Sequence, residues 1–212
     1  MNIKEIREQK LTLKLTDRQR AIIVGLLLGD GHLETQNQGR TYRLKVEHGE
    51  SQGDYVQWLF RELRDWIPAR EPYIKIRSDG TRNVGFNTYS HGSLRYYGHQ
   101  FYADGRKQLP AIIHKMIKPI SIAVWFMDDG SRKSAHHHTY ILHTLGYTRS
   151  ELERAQIMFE RKFGIKVVLH KQKGKYWRLY IRSESAKVFE TLVGEYVQPI
   201  VSMKHKLVTH IA

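Results

Sequence analysis

The chain of 212 residues contains no cysteine, which excludes a disulfide framework, a thiolate zinc site and a cysteine nucleophile together. It also lacks any apolar run approaching the roughly 18–20 residues that span a bilayer. The opening Met1-Asn2-Ile3-Lys4-Glu5 has no apolar h-region, so a secretory signal is not expected. Acidic residues are scarce, with 21 Asp and Glu against 35 Lys and Arg, for a formal net charge of +14. With 41% hydrophobic residues the chain has enough apolar material for a packed core, so disorder is not expected. These features predict an intracellular protein, of bacterial cytoplasm or organelle matrix, whose surplus charge seeks a polyanion. Nucleic acid fits that surplus better than a membrane surface, because no long basic amphipathic helix is present. Only four asparagines occur, which leans toward a bacterial or heat-adapted source, although eleven glutamines do not support it.

What is present falls into a repeated pattern. Residues 1–15 read as an N-terminal arm. Thr16-Asp17-Arg18-Gln19 carries a capping-box signature and predicts a helix through Ala21 to Gly29, apolar on every side. Gly25 and Gly29 share one face of it, where another helix backbone could approach. Alternating strands follow at 42–48, 73–77 and 84–89, the last two joined through Asp79-Gly80, with helices at 54–66 and 93–102. Pro110 opens a helical piece to Lys118, and at Pro119 the pattern begins again. A second apolar helix, Ile122 to Met127, ends at Asp128-Asp129-Gly130. A strand at 139–144, a helix at 150–163, a hairpin turning at Gly174 and a helix at 184–197 complete the copy. The two halves are read as 16–118 and 119–212.

The register of this duplication is 99 residues: Asp30 and Asp129, Lys107 and Lys206, and Phe60 and Phe159 all stand that far apart. A single Asp-Gly is an ordinary helix stop. Two acids at the negative ends of the two most buried helices are adverse for the helix dipole, and ask for a compensating cation. Packed side by side, the helices would bring Asp30 and Asp129 together as hard oxygen ligands of the kind Mg²⁺ prefers. Divalent metal beside phosphate is the arrangement of metal-assisted phosphodiester hydrolysis. One lysine per half would then hold phosphate charge or polarise water. Asp128 has no acidic counterpart, since Gly29 stands at its place; it could offer a carbonyl, a carboxylate, or nothing.

The strands supply a second argument. Arg43 and Lys45 alternate with Leu44 and Val46; Tyr73, Lys75 and Arg77 with Ile74 and Ile76; Asn83 and Asn87 with Val84 and Phe86; Arg178, Tyr180 and Arg182 with Trp177, Leu179 and Ile181. The apolar sets are expected under helices, leaving basic, amide and tyrosine faces suited to phosphates and base edges. Arg82, Arg132, Lys133, Lys171 and Lys173 join them as candidate DNA contacts. His136, His137 and His138 read as a polar loop tip rather than a metal site. Trp58, Trp66, Trp125 and Phe126 read as core.

At this point the motifs resemble a known family. Ile23-Val24-Gly25-Leu26-Leu27-Leu28-Gly29-Asp30-Gly31 and Ile122-Ala123-Val124-Trp125-Phe126-Met127-Asp128-Asp129-Gly130 look like the paired signature helices of LAGLIDADG homing endonucleases. The Trp-Phe-Met-Asp-Asp-Gly form is similar to the single-chain, double-motif branch that includes the yeast omega-intron endonuclease. Gly105 to Pro110 and Met203 to Leu207 resemble that branch's lysine-bearing segments. The resemblance implies an α+β fold of two αββαββα halves about a pseudo-two-fold axis, with antiparallel sheets forming a saddle on DNA. It implies catalytic Asp30, Asp129, Lys107 and Lys206, with metal held at Asp30, Asp129, Gly29 and Asp128. The expected activity is Mg²⁺-dependent cleavage of both strands of a long duplex site, by a monomer, leaving short 3′ overhangs, with Mn²⁺ or Ca²⁺ as substitutes. An intron RNA maturase, or a regulator that binds DNA without cutting, is the alternative on the same fold. Leu28 and Met127 depart from the family signature at its first acid, and Val124 and Asp128 stand where small residues are usual.

Overall fold

The computed structural model describes residues 8, 10–134 and 138–208. Helix α1 (Asp17–Leu28) starts at the expected box: Thr16 Oγ1 accepts from the Gln19 amide and Gln19 Oε1 from the Thr16 amide, both at 3.1 Å. Strands β1 (His32–Glu34) and β2 (Arg43–Gly49) follow, then helix α2 (Gly53–Glu62). The hairpin β3 (Tyr73–Ile76) and β4 (Arg82–Asn87) turns at Gly80, whose φ of 82° suits glycine, and helix α3 (Arg95–Phe101) closes the half. A two-stranded ribbon, β5 (Tyr102–Ala103) with β6 (Arg106–Lys107), and the short helix α4 (Ile113–Met116) lead to the second copy. That copy runs α5 (Pro119–Asp129), β7 (Gly130–Arg132), β8 (Tyr140–Leu142), α6 (Arg149–Phe163), β9 (Val167–Gln172), β10 (Tyr176–Ile181) and α7 (Ser183–Val197).

Each half is therefore αββαββα, and each sheet is antiparallel with the same order, β1-β2-β4-β3 and β7-β8-β10-β9. The first strand of each copy, β1 or β7, is only three residues long and follows its helix directly. Neither has enough residues to show an alternation, which is why pattern alone missed both. Helices α1 and α5 form the central seam. Every residue of α1 from Ala21 to Leu28 is buried, and every residue of α5 from Ile120 to Met127. Apolar residues all around a helix fit only such a place. Trp66, Trp125 and Phe126 are fully buried in the core, as expected, and Trp58 packs partly against it. No helix among the described residues is long and apolar enough to cross a membrane.

One expectation fails. Ile74 and Ile76 are 57% and 64% exposed rather than packed under a helix. Strand β3 lies at the sheet edge, beyond the reach of α2, whose Phe60 instead meets Phe86 of β4 at 5.7 Å.

Candidate active site and DNA interface

The seam sets up the site through residues one repeat apart. A Cβ added at Gly25 would lie 2.7 Å from Val124 Cβ, and one at Gly29 would lie 2.4 Å from Asp128 Oδ2. In both places a glycine, one within α1 and one capping it, faces its own counterpart on α5, so the bulk is carried on one side only. Ser121 Oγ also donates to Ala21 O at 2.7 Å. The Asp128 side chain fills the space that Gly29 leaves and is fully buried. Its Oδ2 accepts from the Asp30 amide at 2.9 Å, and its Oδ1 from the Tyr55 hydroxyl at 2.7 Å. Burial, then the Asp30 charge, push the Asp128 carboxyl up to about 7.

Asp30 follows the end of α1 with its side chain 54% exposed, while Asp129, the last residue of α5, is largely enclosed. Desolvation, reinforced by Asp30 and Asp128, pushes the Asp129 carboxyl up to about 8. His48 lies between: Nδ1 is 3.8 Å from Asp30 Oδ2 and Nε2 is 3.7 Å from Asp128 Oδ1. Burial lowers its pKa, which favours the neutral imidazole, and Nε2 has no hydrogen-bond partner among the described residues.

Both lysines point inward at helix C-termini. Lys107 Nζ donates to Gly29 O at 2.5 Å and Gly31 O at 2.9 Å. Lys206 Nζ donates to Met127 O and, at 3.4 Å, to Asp128 O. These are the cations that the adverse dipole asked for, and they satisfy carbonyls with no intrahelical partner. Burial lowers both pKa values, opposed by the three acids. Tyr147 donates to Leu28 O at 2.8 Å, and the His143 amide to Asp129 O at 2.9 Å. A cleft of about 340 Å³ opens beside Asp129, lined by Gly29, Lys107, His143 and Tyr147.

The strand register sorts the expected DNA contacts. On the first sheet Lys45 pairs with Asn87 and Lys75 with Asn83; Tyr73 lies across Gly85 from Glu47. Arg43, Lys45, Tyr73, Lys75, Asn83 and Asn87 therefore share the open face, and Arg77 reaches it through Glu47. Arg82 lies across from Ile76 on the opposite face and bonds Glu50 at 2.8 Å. On the second sheet Arg178 and Tyr180 share the open face, and Arg182 follows β10. Arg132, across from Tyr140, and Lys171, across from Trp177, lie on the helix side. Lys171 Nζ sits 5.6 Å from the Trp177 ring centre. Lys133 and Lys173 are outside the strands. Arg178 Nε is buried with no hydrogen-bond partner among the described residues, a donor left for an anion. His138 turns back to Glu190 at 2.5 Å; His136 and His137 lie outside the described residues.

His48, Tyr55, Glu47 and Tyr147 are not among the residues that spacing and alternation single out. His48 carried a signal, being a histidine in phase with Leu44 and Val46 on the core side of β2. Tyr55 and Tyr147 carried none, since only tertiary packing aims their hydroxyls.

A model of the LAGLIDADG DNA endonuclease family matches residues 20–189. The chain belongs to that family. Among relatives of this family member, the probable intron-encoded endonuclease 1 of Wickerhamomyces canadensis is 24% identical, covering 99% of this chain and 91% of the relative. The cytochrome b mRNA maturase bI2 of Debaryomyces hansenii is 26% identical, over 88% of this chain and 72% of the relative. Among solved structures, the homing endonuclease I-WcaI bound to its DNA recognition sequence superposes with a TM-score of 0.86 at 24% identity. That match covers 98% of this chain and 93% of the other, and shows that the LAGLIDADG saddle of two sheets and repeated halves is the fold here.

Proposed function

We propose that this LAGLIDADG-family DNA endonuclease cuts both strands of a long, specific duplex site at its central seam, leaving short 3′ overhangs. The observation that carries this reading is that Asp30 and Asp129 stand at the adjoining ends of two packed helices, between two sheets with polar, basic open faces. Halves 16–118 and 119–212 each take one side of the site, as a monomer acting inside the cell.

The oxygen donors at the seam suit a divalent ion, Mg²⁺ first and Mn²⁺ or Ca²⁺ as substitutes: the exposed Asp30 carboxylate would hold it together with that of Asp129, while the Gly29 and Asp128 carbonyls, which accept from Lys107 and Lys206, could offer only a second lone pair. Such an ion, when bound, would lower the pKa of water and stabilise the leaving oxygen. The protein's own residues do the rest. Asp128 keeps both carboxylate oxygens in hydrogen bonds, so its side chain holds the Asp30 backbone in place rather than serving as an open ligand. Lys107 and Lys206 hold the helix ends and bring positive charge toward the scissile phosphates, where negative charge grows. Arg178 and the open-face residues of both sheets bind phosphates and bases.

The test is cleavage of a randomised duplex library in Mg²⁺, with sequencing of the ends. A defined site with 3′ extensions, lost in EDTA, is the expected result. Uncut libraries under every divalent ion, with the chain folded, would refute the reading. The similarity to a maturase favours one second reading, assistance to intron RNA; a splicing assay with the intron carrying this frame distinguishes the two.

A further inference from the structure

The open face of the first sheet carries an acid where DNA phosphates would repel one. Glu47 stands at the centre of β2 with its side chain only 12% exposed. Its carboxylate accepts from Asn83 Nδ2 at 2.9 Å, Arg77 Nη2 at 3.1 Å and the Tyr73 hydroxyl at 3.2 Å, and Lys45 Nζ lies 3.9 Å away. The hydrogen bond from Asn83, then those from Arg77 and Tyr73, hold its pKa below the usual carboxylate range against desolvation. Gly85 makes the reach from Tyr73 possible. It lies between the two residues in the ladder, and a Cβ there would meet the Tyr73 hydroxyl at 2.8 Å. Three of the side chains expected to touch DNA thus converge on one half-buried anion, across a strand thinned by a glycine.

The second sheet is built differently. Its register places His170 across from Arg178 where the first sheet has Tyr73 across from Gly85, and its open face carries no Asp or Glu among the described residues. A free arginine or lysine binds phosphate wherever it meets one, without regard to sequence. A side chain already held in one geometry bonds only where a base presents the matching group, and loses less freedom in doing so.

We propose that Glu47 is a positioning residue for sequence reading: it fixes Tyr73, Arg77 and Asn83 so that the first sheet discriminates its half of the DNA site, and it weakens sequence-independent binding there. The proposal rests on the DNA-endonuclease reading above. Removing the charge should move affinity and specificity in opposite directions. A structural residue would not do that.

The test uses the full chain and a randomised duplex library in EDTA, so that nothing is cut, with sequencing of the bound fraction. Wild type is compared with Glu47→Gln and, as a second variant, Glu47→Ala; thermal melting is run on each. The expected result is a wild-type motif of two half-sites, of which the variants keep one and lose roughly tenfold of discrimination in the other. Random duplex should at the same time bind several-fold tighter, with a steeper salt dependence. Glu34→Gln, which among the described residues releases Arg43, should change the motif less. An unchanged motif overturns the proposal. So does a switched base at one position, which would make Glu47 a direct base contact, and so does loss across both halves with a lowered melting temperature. Failure of wild type to enrich any motif overturns the DNA reading itself, and is distinguishable because each other failure includes a wild-type motif.

Discussion

Gly29 and Asp128 occupy the same place in the two copies of the repeat, yet one has no side chain and the other buries a carboxylate in the space left by the first. The pair is a single device. Asp128 needs the absence of a Cβ at 29, and the Asp30 backbone is held by Asp128. Gly29→Ala should therefore destabilise the protein by about 1–3 kcal/mol through overpacking, and cleavage should fall further than DNA binding because Asp30 is displaced. Denaturant melts and binding isotherms on the same preparation check this; equal losses in both would contradict it. At this scale the repeat offset made Asp30, Asp129, Lys107 and Lys206 legible in the chain. The direction in which the lysines point was not: nothing in their neighbours says that they turn inward to Gly29 O and Met127 O.

Elements matter through what they hold still. Glu151, at the third position of α6, completes the Thr148 capping box and accepts from Arg106 and the Leu109 amide. It fastens the ribbon that carries Lys107 to the second half. Against the desolvation of burial, which raises it, these bonds hold its carboxyl at about 2 rather than an ordinary 4.5. A depressed folded-state pKa contributes stability that is present above the unfolded value and lost as pH falls through the folded one. Glu151→Gln should thus cost about 1.5–3 kcal/mol at pH 7, and the difference from wild type should shrink between pH 4.5 and 2. Melting curves across that range give the answer; a constant difference would exclude the linkage. Most helices and the long strands were readable from caps, glycines and alternation. Strands β1 and β7 were too short for any period, and the exposure of Ile74 and Ile76 depends on sheet order, which alternation does not encode.

Over the whole molecule the charge is unevenly used. The surplus of +14 does not lie uniformly on the two sheets. On the first, Glu34 and Glu47 engage Arg43 and Arg77; on the second, Arg178 keeps a buried donor without a partner among the described residues. Arg178→Ala should weaken binding across sequences and reduce the salt slope by about one. Titrations of one duplex over a range of salt measure it, and an unchanged slope would remove Arg178 from the phosphate contacts. At the centre the sign reverses. Asp30, Asp128 and Asp129 crowd the seam: the Asp30 charge raises the cost of charging Asp128 and Asp129, and Asp128 that of Asp129. The cutting centre proposed above is the pair of acids at the helix ends. Strand-resolved cleavage of a library-selected duplex in Mg²⁺ tests it, comparing wild type with the Asp30→Asn, Asp129→Asn double variant. Wild type should make a double-strand break, while the double variant should leave intact strands that it still binds. Cleavage of both strands by the double variant at the wild-type rate would contradict it.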